Sequence, residues 1–146
     1  DDNLMGVDVK DYIEKLVQSL FTSYNIQEEK IKLRTEIDDL NLDVDSVVPI
    51  GLILTELISN SLKYAFDEEK IDGELMIKLK QEKGNLLLQV KDNGKGLPAD
   101  WSYEKTSSLG YQLIRSFAAK MKAMLTVNGT NGTDVQMIIT KYKLTS

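Results

Sequence analysis

Residues 56–65 read Glu56-Leu-Ile-Ser-Asn60-Ser-Leu-Lys63-Tyr64-Ala65 and close a long apolar pattern over residues 46–66. At about 100° per residue, Glu56, Asn60 and Lys63 fall at i, i+4 and i+7, so they form one narrow polar stripe on a helix. The other residues of the pattern are mostly Leu, Ile, Val and Ala, and we expect the helix to be largely buried. A polar stripe on a buried helix indicates a binding site. A half-exposed stripe in which Glu56 supports Lys63 has the same spacing and is the alternative.

The stripe has the chemistry of a magnesium and phosphate site. Mg²⁺ accepts hard oxygen ligands beside waters and phosphate oxygens, and the side-chain carbonyl of Asn60 is one. The Glu56 carboxylate, one turn earlier, could hold a metal-bound water or orient a nucleophile. Lys63 could reach a phosphate group. If the stripe is a binding site, Glu56 and Asn60 are its candidate catalytic and metal-binding residues.

A second motif, Asp92-Asn93-Gly94-Lys95-Gly96, follows the apolar strand pattern of residues 86–90. A carboxylate at this strand end could accept a hydrogen bond from the exocyclic amine of adenine, whereas it would oppose the carbonyl oxygen of guanine. An unmatched buried polar group costs about 1–3 kcal/mol, which is enough to favour ATP over GTP by about tenfold or more. Gly94 and Gly96 allow close approach of the backbone. An Asn-Gly turn that ends a strand is the alternative.

Three weaker signals follow along the chain. Ser107-Ser108-Leu109-Gly110 begins a helix, whose free N–H groups and dipole suit phosphate, although an ordinary Ser-capped helix looks the same. The preceding segment, residues 97–107, contains Trp101 and Lys105 and could be a mobile lid or a plain surface loop. Gly132-Thr133 begins the last strand, where the Thr hydroxyl could bind a base through water or be a simple strand former.

Periodicity and turn residues predict an α/β fold. The predicted helices are residues 8–23, 46–66 and 108–121, and the predicted strands are residues 31–37, 74–81, 85–91, 123–128 and 134–142. We expect Asp8 to cap the first helix, Asp45 or Ser46 the second, and Ser107 or Ser108 the third. Residues 38–45 are expected to be a polar connection. The order α-β-α-β-β-α-β-β predicts a two-layer sandwich with the helices on one face of a mixed sheet.

Composition excludes several classes of protein. The 146 residues suit one domain, and the net charge of -5 argues against nucleic acid or an anionic membrane as the main partner. With 0 Cys there is no disulfide framework. The longest apolar run, Val47 to Leu54, is too short to cross a bilayer, and no signal peptide is evident. Because the first residue is Asp1, we expect a single domain, residues 1–146, cut from a longer protein.

Taken in order, the motifs resemble the conserved boxes of the catalytic, ATP-binding domain of two-component sensor histidine kinases. Residues 56–65 resemble the N box, residues 92–96 the G1 box, residues 108–113 the G2 box, and Gly132-Thr133 the closing Gly-Thr. The resemblance covers nearly the whole chain. It implies the Bergerat-type α/β sandwich of the superfamily that histidine kinases share with gyrase, Hsp90 and MutL.

The resemblance also implies site residues and their roles. Asn60 would bind Mg²⁺, Glu56 would assist at the metal or acceptor, and Asp92 would recognise adenine. The implied ATP-binding residues are Lys63, Tyr64, Asp92, Gly94, Gly96, Lys105, Ser108, Gly110 and Thr133. The chain departs from the family pattern in two places. Ser108 stands where a first glycine of Gly-x-Gly is common, and no Phe-containing box follows Gly96, where Trp101 and Tyr103 are the lid aromatics.

The chain has 0 His, so it does not contain the histidine that such kinases phosphorylate. We therefore expect a catalytic half that binds Mg²⁺ and ATP and is monomeric alone. It would transfer the γ-phosphoryl group to a histidine on the dimerisation domain of the same protein, upstream of a response regulator. The expected location is the cytoplasm, whether or not the full-length protein is anchored in a membrane.

Other members of the superfamily suggest three alternatives. In an ATPase module of the gyrase, Hsp90 or MutL kind, Glu56 would activate water as a general base. An anti-sigma-type serine kinase can have about this size and would phosphorylate a serine on a small partner protein. A non-catalytic module would bind the nucleotide and phosphorylate nothing.

Overall fold

The computed structural model describes residues 6–27, 29–66, 72–102, 106 and 108–145. The helices are α1 (Val9–Ser23), α2 (Val44–Asn60) and α3 (Leu109–Lys120). The strands are β1 (Gly6–Asp8), β2 (Ile31–Ile37), β3 (Asn41–Asp43), β4 (Gly73–Glu82), β5 (Asn85–Asp92), β6 (Ala123–Asn128) and β7 (Thr133–Ile139).

The main sheet is mixed and has the strand order β2-β4-β5-β7-β6. β2 and β4 are parallel, and the other neighbouring strands are antiparallel. Alternate residues of the central strands are fully buried, among them Leu75, Ile77 and Leu79 of β4, because one face of the sheet packs on the helices. The predicted two-layer α/β sandwich with a mixed sheet is confirmed.

Helix α2 is the centre of the core. Ile50, Ile53, Leu54 and Ile58 are buried against α1, α3 and the sheet, which explains why its sequence is apolar on most sides. By length and composition, the helical stretch Val44–Ala65 would be able to cross a membrane. The run from Val47 to Leu54, which the sequence analysis considered, is only part of this stretch. However, 56% of its apolar window is buried inside the domain, as is typical of a core helix.

The start of α2 differs from the prediction. Its N-cap is Asp43, whose Oδ1 accepts a hydrogen bond from the backbone N–H of Ser46 at 2.9 Å. The predicted caps, Asp45 and Ser46, therefore lie within the first turn. The cap is earlier because residues 41–43 form β3, which pairs with β1, instead of the predicted polar connection. Strands of three residues carry too little alternation to be recognised in the sequence.

Strand β3 also binds the C-terminal segment. Asp43 donates its N–H to the carbonyl of Lys143 at 3.0 Å, and Thr145 donates to the carbonyl of Asn41 at 2.8 Å. With β1 on its other edge, β3 is the middle of a small antiparallel sheet. Both ends of the described chain are thus hydrogen-bonded to the strand that leads into α2.

The end of α2 also differs from the prediction. The α-helix stops at Asn60, and Ser61–Ala65 form a π-helical turn rather than continuing to Phe66 in α geometry. A π turn is wider than an α turn, and such turns occur frequently at functional sites. The remaining boundaries agree closely, with α1 capped by Asp8 and α3 by Ser108 as predicted. Strand β7 ends at Ile139, three residues before the predicted end at Tyr142.

Candidate functional site

A cavity of about 390 Å³ opens where the π turn, the ends of β5 and β7 and the segment after β5 meet. This volume is within the range of small-molecule sites, which are about 300–1,000 Å³. We call it the Asp92 cavity. Its lining residues are Leu57, Asn60, Ser61, Tyr64, Ala65, Val90, Asp92, Lys95, Gly96, Leu97, Pro98, Trp101, Thr106, Ser108, Tyr111, Thr133 and Val135. Most of these side chains are apolar or aromatic, so the few polar groups determine what the cavity can bind.

The Asp92 carboxylate is the most deeply buried of these polar groups, with 3% of the residue exposed. Its Oδ1 accepts hydrogen bonds from the backbone N–H groups of Gly94 at 2.9 Å and Thr133 at 3.0 Å. Its Oδ2 accepts one from the Ser61 hydroxyl at 2.7 Å. A carboxylate has about four lone-pair sites, so these three bonds leave one acceptor site for a ligand.

Chain topology brings these partners together. Asp92 is the last residue of β5 and is paired with Thr133, the first residue of β7. Gly132, just before it, has φ of 74°, and a side chain there would collide with the Asp92 carbonyl. A glycine is therefore required for β7 to begin beside Asp92.

The segment after β5 packs against the π turn. Lys95 donates its backbone N–H to the carbonyl of Ala65 at 2.9 Å, and a Cβ on Gly94 would collide with the same carbonyl. Gly94 thus lies behind the cavity wall, in contact with the π turn. This contact joins the two motifs that are separated by residues 66–91 in the sequence.

Two aromatic residues close the side of the cavity next to α3. The rings of Trp101 and Tyr111 meet edge to face, with their centroids 5.0 Å apart and their planes at 71°. Burial raises the pKa of the Tyr111 hydroxyl to about 12, and the negative charge of Asp92 adds to the effect. The Tyr111 hydroxyl therefore stays protonated at neutral pH.

The structure brings most of the predicted site residues to one place. The predicted residues that line the Asp92 cavity are Asn60, Tyr64, Asp92, Gly96, Ser108 and Thr133. The predicted residues outside the lining are Glu56, Lys63, Gly94 and Gly110. Lys105 and Tyr103 lie outside the described residues.

Glu56 and Gly110 lie close to each other, and neither lines the cavity. A Cβ built on Gly110 would lie 2.6 Å from Glu56 Oε2, so the carboxylate packs against the first turn of α3. Glu56 lies one turn before Asn60 on α2. These are the two side chains of the stripe that carry oxygen atoms able to bind a metal. Among the described residues there is no group of three or more His, Cys, Asp and Glu that could hold a metal. The pair fits Mg²⁺ carried mainly by phosphate oxygens and waters.

Lys63 lies apart from the cavity. Its Nζ is 5.9 Å from the ring centroid of Tyr24 and 5.9 Å from that of Tyr64, in cation–π range of both rings. The π turn begins directly after Asn60, so the α-helical spacing that aligned Lys63 with Asn60 no longer holds. Tyr64, which is 61% exposed, lines the cavity, whereas Lys63 does not.

Sequence reasoning missed Ser61 and Tyr111. Ser61 is adjacent to Asn60, and Tyr111 is adjacent to Gly110, so each motif contained the position without singling out the side chain. Their importance comes from their approach to Asp92, which is distant in sequence from both. No local pattern signals such a contact.

The family described as histidine kinase-, DNA gyrase B- and HSP90-like ATPase matches residues 46–143 of the chain. This range contains every residue that lines the Asp92 cavity.

Two relatives carry the name histidine kinase. The sensor histidine kinase PdtaS of Mycolicibacterium smegmatis is 34% identical over 97 residues, which cover 64% of this chain and 19% of that protein. Blue-light-activated histidine kinase 2 of Erythrobacter litoralis is 29% identical over 111 residues, which cover 75% of this chain and 32% of that protein. The chain therefore corresponds to between about a fifth and a third of these relatives.

A solved structure shares the fold. The histidine kinase domain of the Erythrobacter litoralis EL346 blue-light activated histidine kinase superposes with a TM-score of 0.83 at 24% identity. The match covers 92% of this chain and 62% of that chain. The fold is therefore shared over most of the chain.

Proposed function

The chain belongs to the family of histidine kinase-, DNA gyrase B- and HSP90-like ATPases, and we propose that it is the ATP-binding catalytic domain of a two-component sensor histidine kinase. The family match supports ATP binding, and the kinase relatives support a role in phosphoryl transfer. The chemistry of the cavity supports the same function and suggests which residues perform it.

The observation that carries the proposal is the buried Asp92 carboxylate. Two backbone N–H groups and the Ser61 hydroxyl fix its orientation, and one acceptor site is left toward the cavity. An exocyclic amine satisfies that site, whereas the carbonyl oxygen of guanine would be opposed to it. Asp92 therefore selects adenine, with Thr133 beside it on β7 and Gly96 close to the base.

The phosphates and the metal would lie toward the rim that Asn60 and Ser108 share. Asn60 and Glu56 would hold Mg²⁺, which neutralises charge on the phosphates during transfer. The N-terminal N–H groups of α3, near Ser108 and Gly110, suit phosphate oxygens. The remaining proposed ATP-binding residues are Lys63, Tyr64, Gly94 and Lys105.

The phosphoryl acceptor would be a histidine on a separate dimerisation domain of the same protein, because the chain has 0 His. A response regulator would then receive the group. We propose that residues 1–146 are one cytoplasmic domain that positions ATP while the partner domain supplies the acceptor. Glu56 would assist the transfer at the metal or at the acceptor.

Calorimetric titration with Mg-ATP and, in parallel, Mg-GTP tests the base recognition. We expect ATP to bind at micromolar to submillimolar concentration and GTP to bind at least about tenfold more weakly. Asp92→Asn should weaken ATP and reduce the preference over GTP, because the amide no longer offers two acceptor oxygens. No binding of ATP by the folded chain would contradict the proposal.

Phosphoryl transfer needs a second experiment. The chain is incubated with labelled ATP and a dimerisation domain that contains the acceptor histidine, and the acid-labile label is measured. Transfer that is lost in Asn60→Ala and reduced in Glu56→Ala would support the kinase. Rapid hydrolysis without labelling of the acceptor, lost in Glu56→Ala, would indicate an ATPase instead.

A further inference from the structure

Tyr111 is a polar residue in the Asp92 cavity that the proposed function leaves unused. It lies in the first turn of α3, where phosphate contacts are expected, yet 7% of the residue is exposed and its side chain lines the cavity with Asp92 and Val135. The Tyr111 and Asp92 side chains line the same cavity, and the charge of Asp92 adds to the effect of burial in raising the pKa of the Tyr111 hydroxyl.

The orientation of the ring is fixed on two sides. The Trp101 ring meets it edge to face at 5.0 Å, and the backbone N–H of Tyr111 donates to the Ser108 hydroxyl at 3.4 Å at the N-cap of α3. A ring that is held in this way keeps its hydroxyl in one place, so a ligand would bind to it without the cost of ordering a mobile side chain.

The hydroxyl has no hydrogen-bond partner among the residues that the structure describes, whereas the Asp92 carboxylate in the same cavity accepts three hydrogen bonds. Because burial keeps the phenol protonated, the hydroxyl remains a donor at physiological pH. Among the described residues, the hydroxyl is not one of the fully buried polar atoms that lack a partner, so it is open to the cavity, where a ligand acceptor would take the place of water.

Adenine offers such an acceptor next to its amine. On either side of the exocyclic amine the ring carries a nitrogen acceptor, N1 or N7. With Asp92 accepting from the amine, a donor on the wall of the same cavity would be available to one of these nitrogens. We propose that Tyr111 is a base-binding residue whose hydroxyl donates a hydrogen bond to the adenine ring nitrogen beside the amine. This inference rests on the proposed function.

Tyr111→Phe removes the hydroxyl and keeps the ring that packs on Trp101. We expect the variant to bind Mg-ATP about 5–30-fold more weakly, because the adenine ring nitrogen is left without a hydrogen-bond donor in the complex. The matched control is Tyr12→Phe, the same change on α1, where the hydroxyl lies against Gly51 of α2 and away from the cavity. The control should bind ATP as the original chain does.

Two ATP analogues identify the bond itself. In 1-deaza-ATP and 7-deaza-ATP a ring nitrogen is replaced by C–H, so one of them should bind the original chain about 5–30-fold more weakly than ATP. That analogue should bind Tyr111→Phe and the original chain equally, since the bond is absent in both cases. The other analogue should lose affinity in Tyr111→Phe as ATP does.

The outcomes are separable. Equal affinity of Tyr111→Phe and the original chain for ATP overturns the inference, and so does ATP-like binding of both analogues to the original chain. Neither result affects the proposed function, which fails if the folded original chain does not bind ATP or does not label an acceptor histidine. If Tyr111→Phe does not fold, the two analogues on the original chain still decide the matter.

Discussion

Ser61 holds the buried carboxylate of Asp92 from the end of α2. Its hydroxyl is the sole side-chain donor to Asp92 among the described residues, and the bond spans 31 positions of sequence. At the scale of single residues, the cavity thus depends on a contact between two motifs. Asn60, Asp92 and Thr133 could be predicted from the sequence because the motifs named them. Ser61 and Tyr111 could not, since their roles depend on which residues the fold brings to Asp92.

Ser61→Ala removes the hydrogen bond to Asp92 Oδ2. We expect the free energy of unfolding to fall by about 1–3 kcal/mol, and ATP affinity to fall as well, because the buried carboxylate loses a donor and an anchor. Ser59→Ala is the control, since Ser59 is also buried on α2 but does not line the cavity. Chemical denaturation and calorimetry measure the two effects. A Ser61→Ala chain with unchanged affinity would argue against the anchoring role.

Tyr111 should also leave a signature at high pH. Its pKa is raised from 10.0 to about 12 in the folded state, so folding favours the protonated phenol. The resulting stability is fully present below pH 10 and is lost as the pH rises through about 12, up to about 2–3 kcal/mol. Denaturation at several pH values from 8 to 12 should show this loss in the original chain. The free energy of unfolding of Tyr111→Phe should fall less steeply with pH over this range. Parallel curves for the two chains would refute the raised pKa of Tyr111.

At the scale of elements, the π turn explains why the polar stripe was only partly predictive. The spacing of Glu56, Asn60 and Lys63 assumes a continuous α-helix, and it holds from Glu56 to Asn60. Beyond Asn60 the wider turn directs Ser61 to Asp92 and Ala65 to Lys95, while Lys63 lies between two tyrosines. No feature of residues 61–65 signals a π turn, because α and π turns accept the same residue types.

Gly94 marks the contact between this turn and the segment after β5. Gly94→Ala should reduce both stability and ATP affinity, because the new Cβ would collide with the Ala65 carbonyl and push the cavity wall outward. Gly84→Ala is the matched control: Gly84 has φ of 83° but open space around it, in the β4–β5 turn. It should cost about 1 kcal/mol of stability and leave ATP affinity unchanged. Equal ATP affinities of Gly94→Ala and Gly84→Ala would contradict the role of Gly94 in positioning the cavity wall.

The cap of α2 gives a prediction about stability alone. Asp43→Ala should lower the free energy of unfolding by about 1 kcal/mol, because the N–H of Ser46 loses its acceptor. Asp45→Ala, in the same turn but without a capping bond, should cost a few tenths of that. Urea denaturation distinguishes the two positions. A larger loss of unfolding free energy for Asp45→Ala than for Asp43→Ala would support Asp45 as the N-cap, one of the two caps predicted from the sequence.

At the scale of the whole molecule, the sequence predicted the architecture better than the short elements. Long periodic segments produced the three helices and the five strands of the main sheet, since each buries one face and carries that pattern over many residues. The small sheet of β1, β3 and the C-terminal segment was not predicted, because pairing between distant short strands leaves little trace in local sequence.

Binding of ATP should stabilise the whole domain. A ligand that binds only the folded state at a hundred times its dissociation constant adds about 2.7 kcal/mol, which corresponds to roughly 5–10 °C in melting temperature for a domain of this size. Thermal denaturation with Mg-ATP should show this shift, and Mg-GTP at the same concentration should show much less. Asp92→Asn should lose most of the ATP shift. Equal shifts for the two nucleotides would contradict selection by Asp92.

The small sheet also has a mechanical consequence. Because β1 and the C-terminal segment flank β3, tension applied to Gly6 or to Thr145 is borne first by backbone hydrogen bonds next to the cap of α2. The 17 residues of α2 form a stiff rod about 25 Å long between this anchor and Asn60. A pull on either anchor therefore acts on the N-terminal end of α2, and the helix transmits the force to Asn60 at its C-terminal end, in the cavity lining.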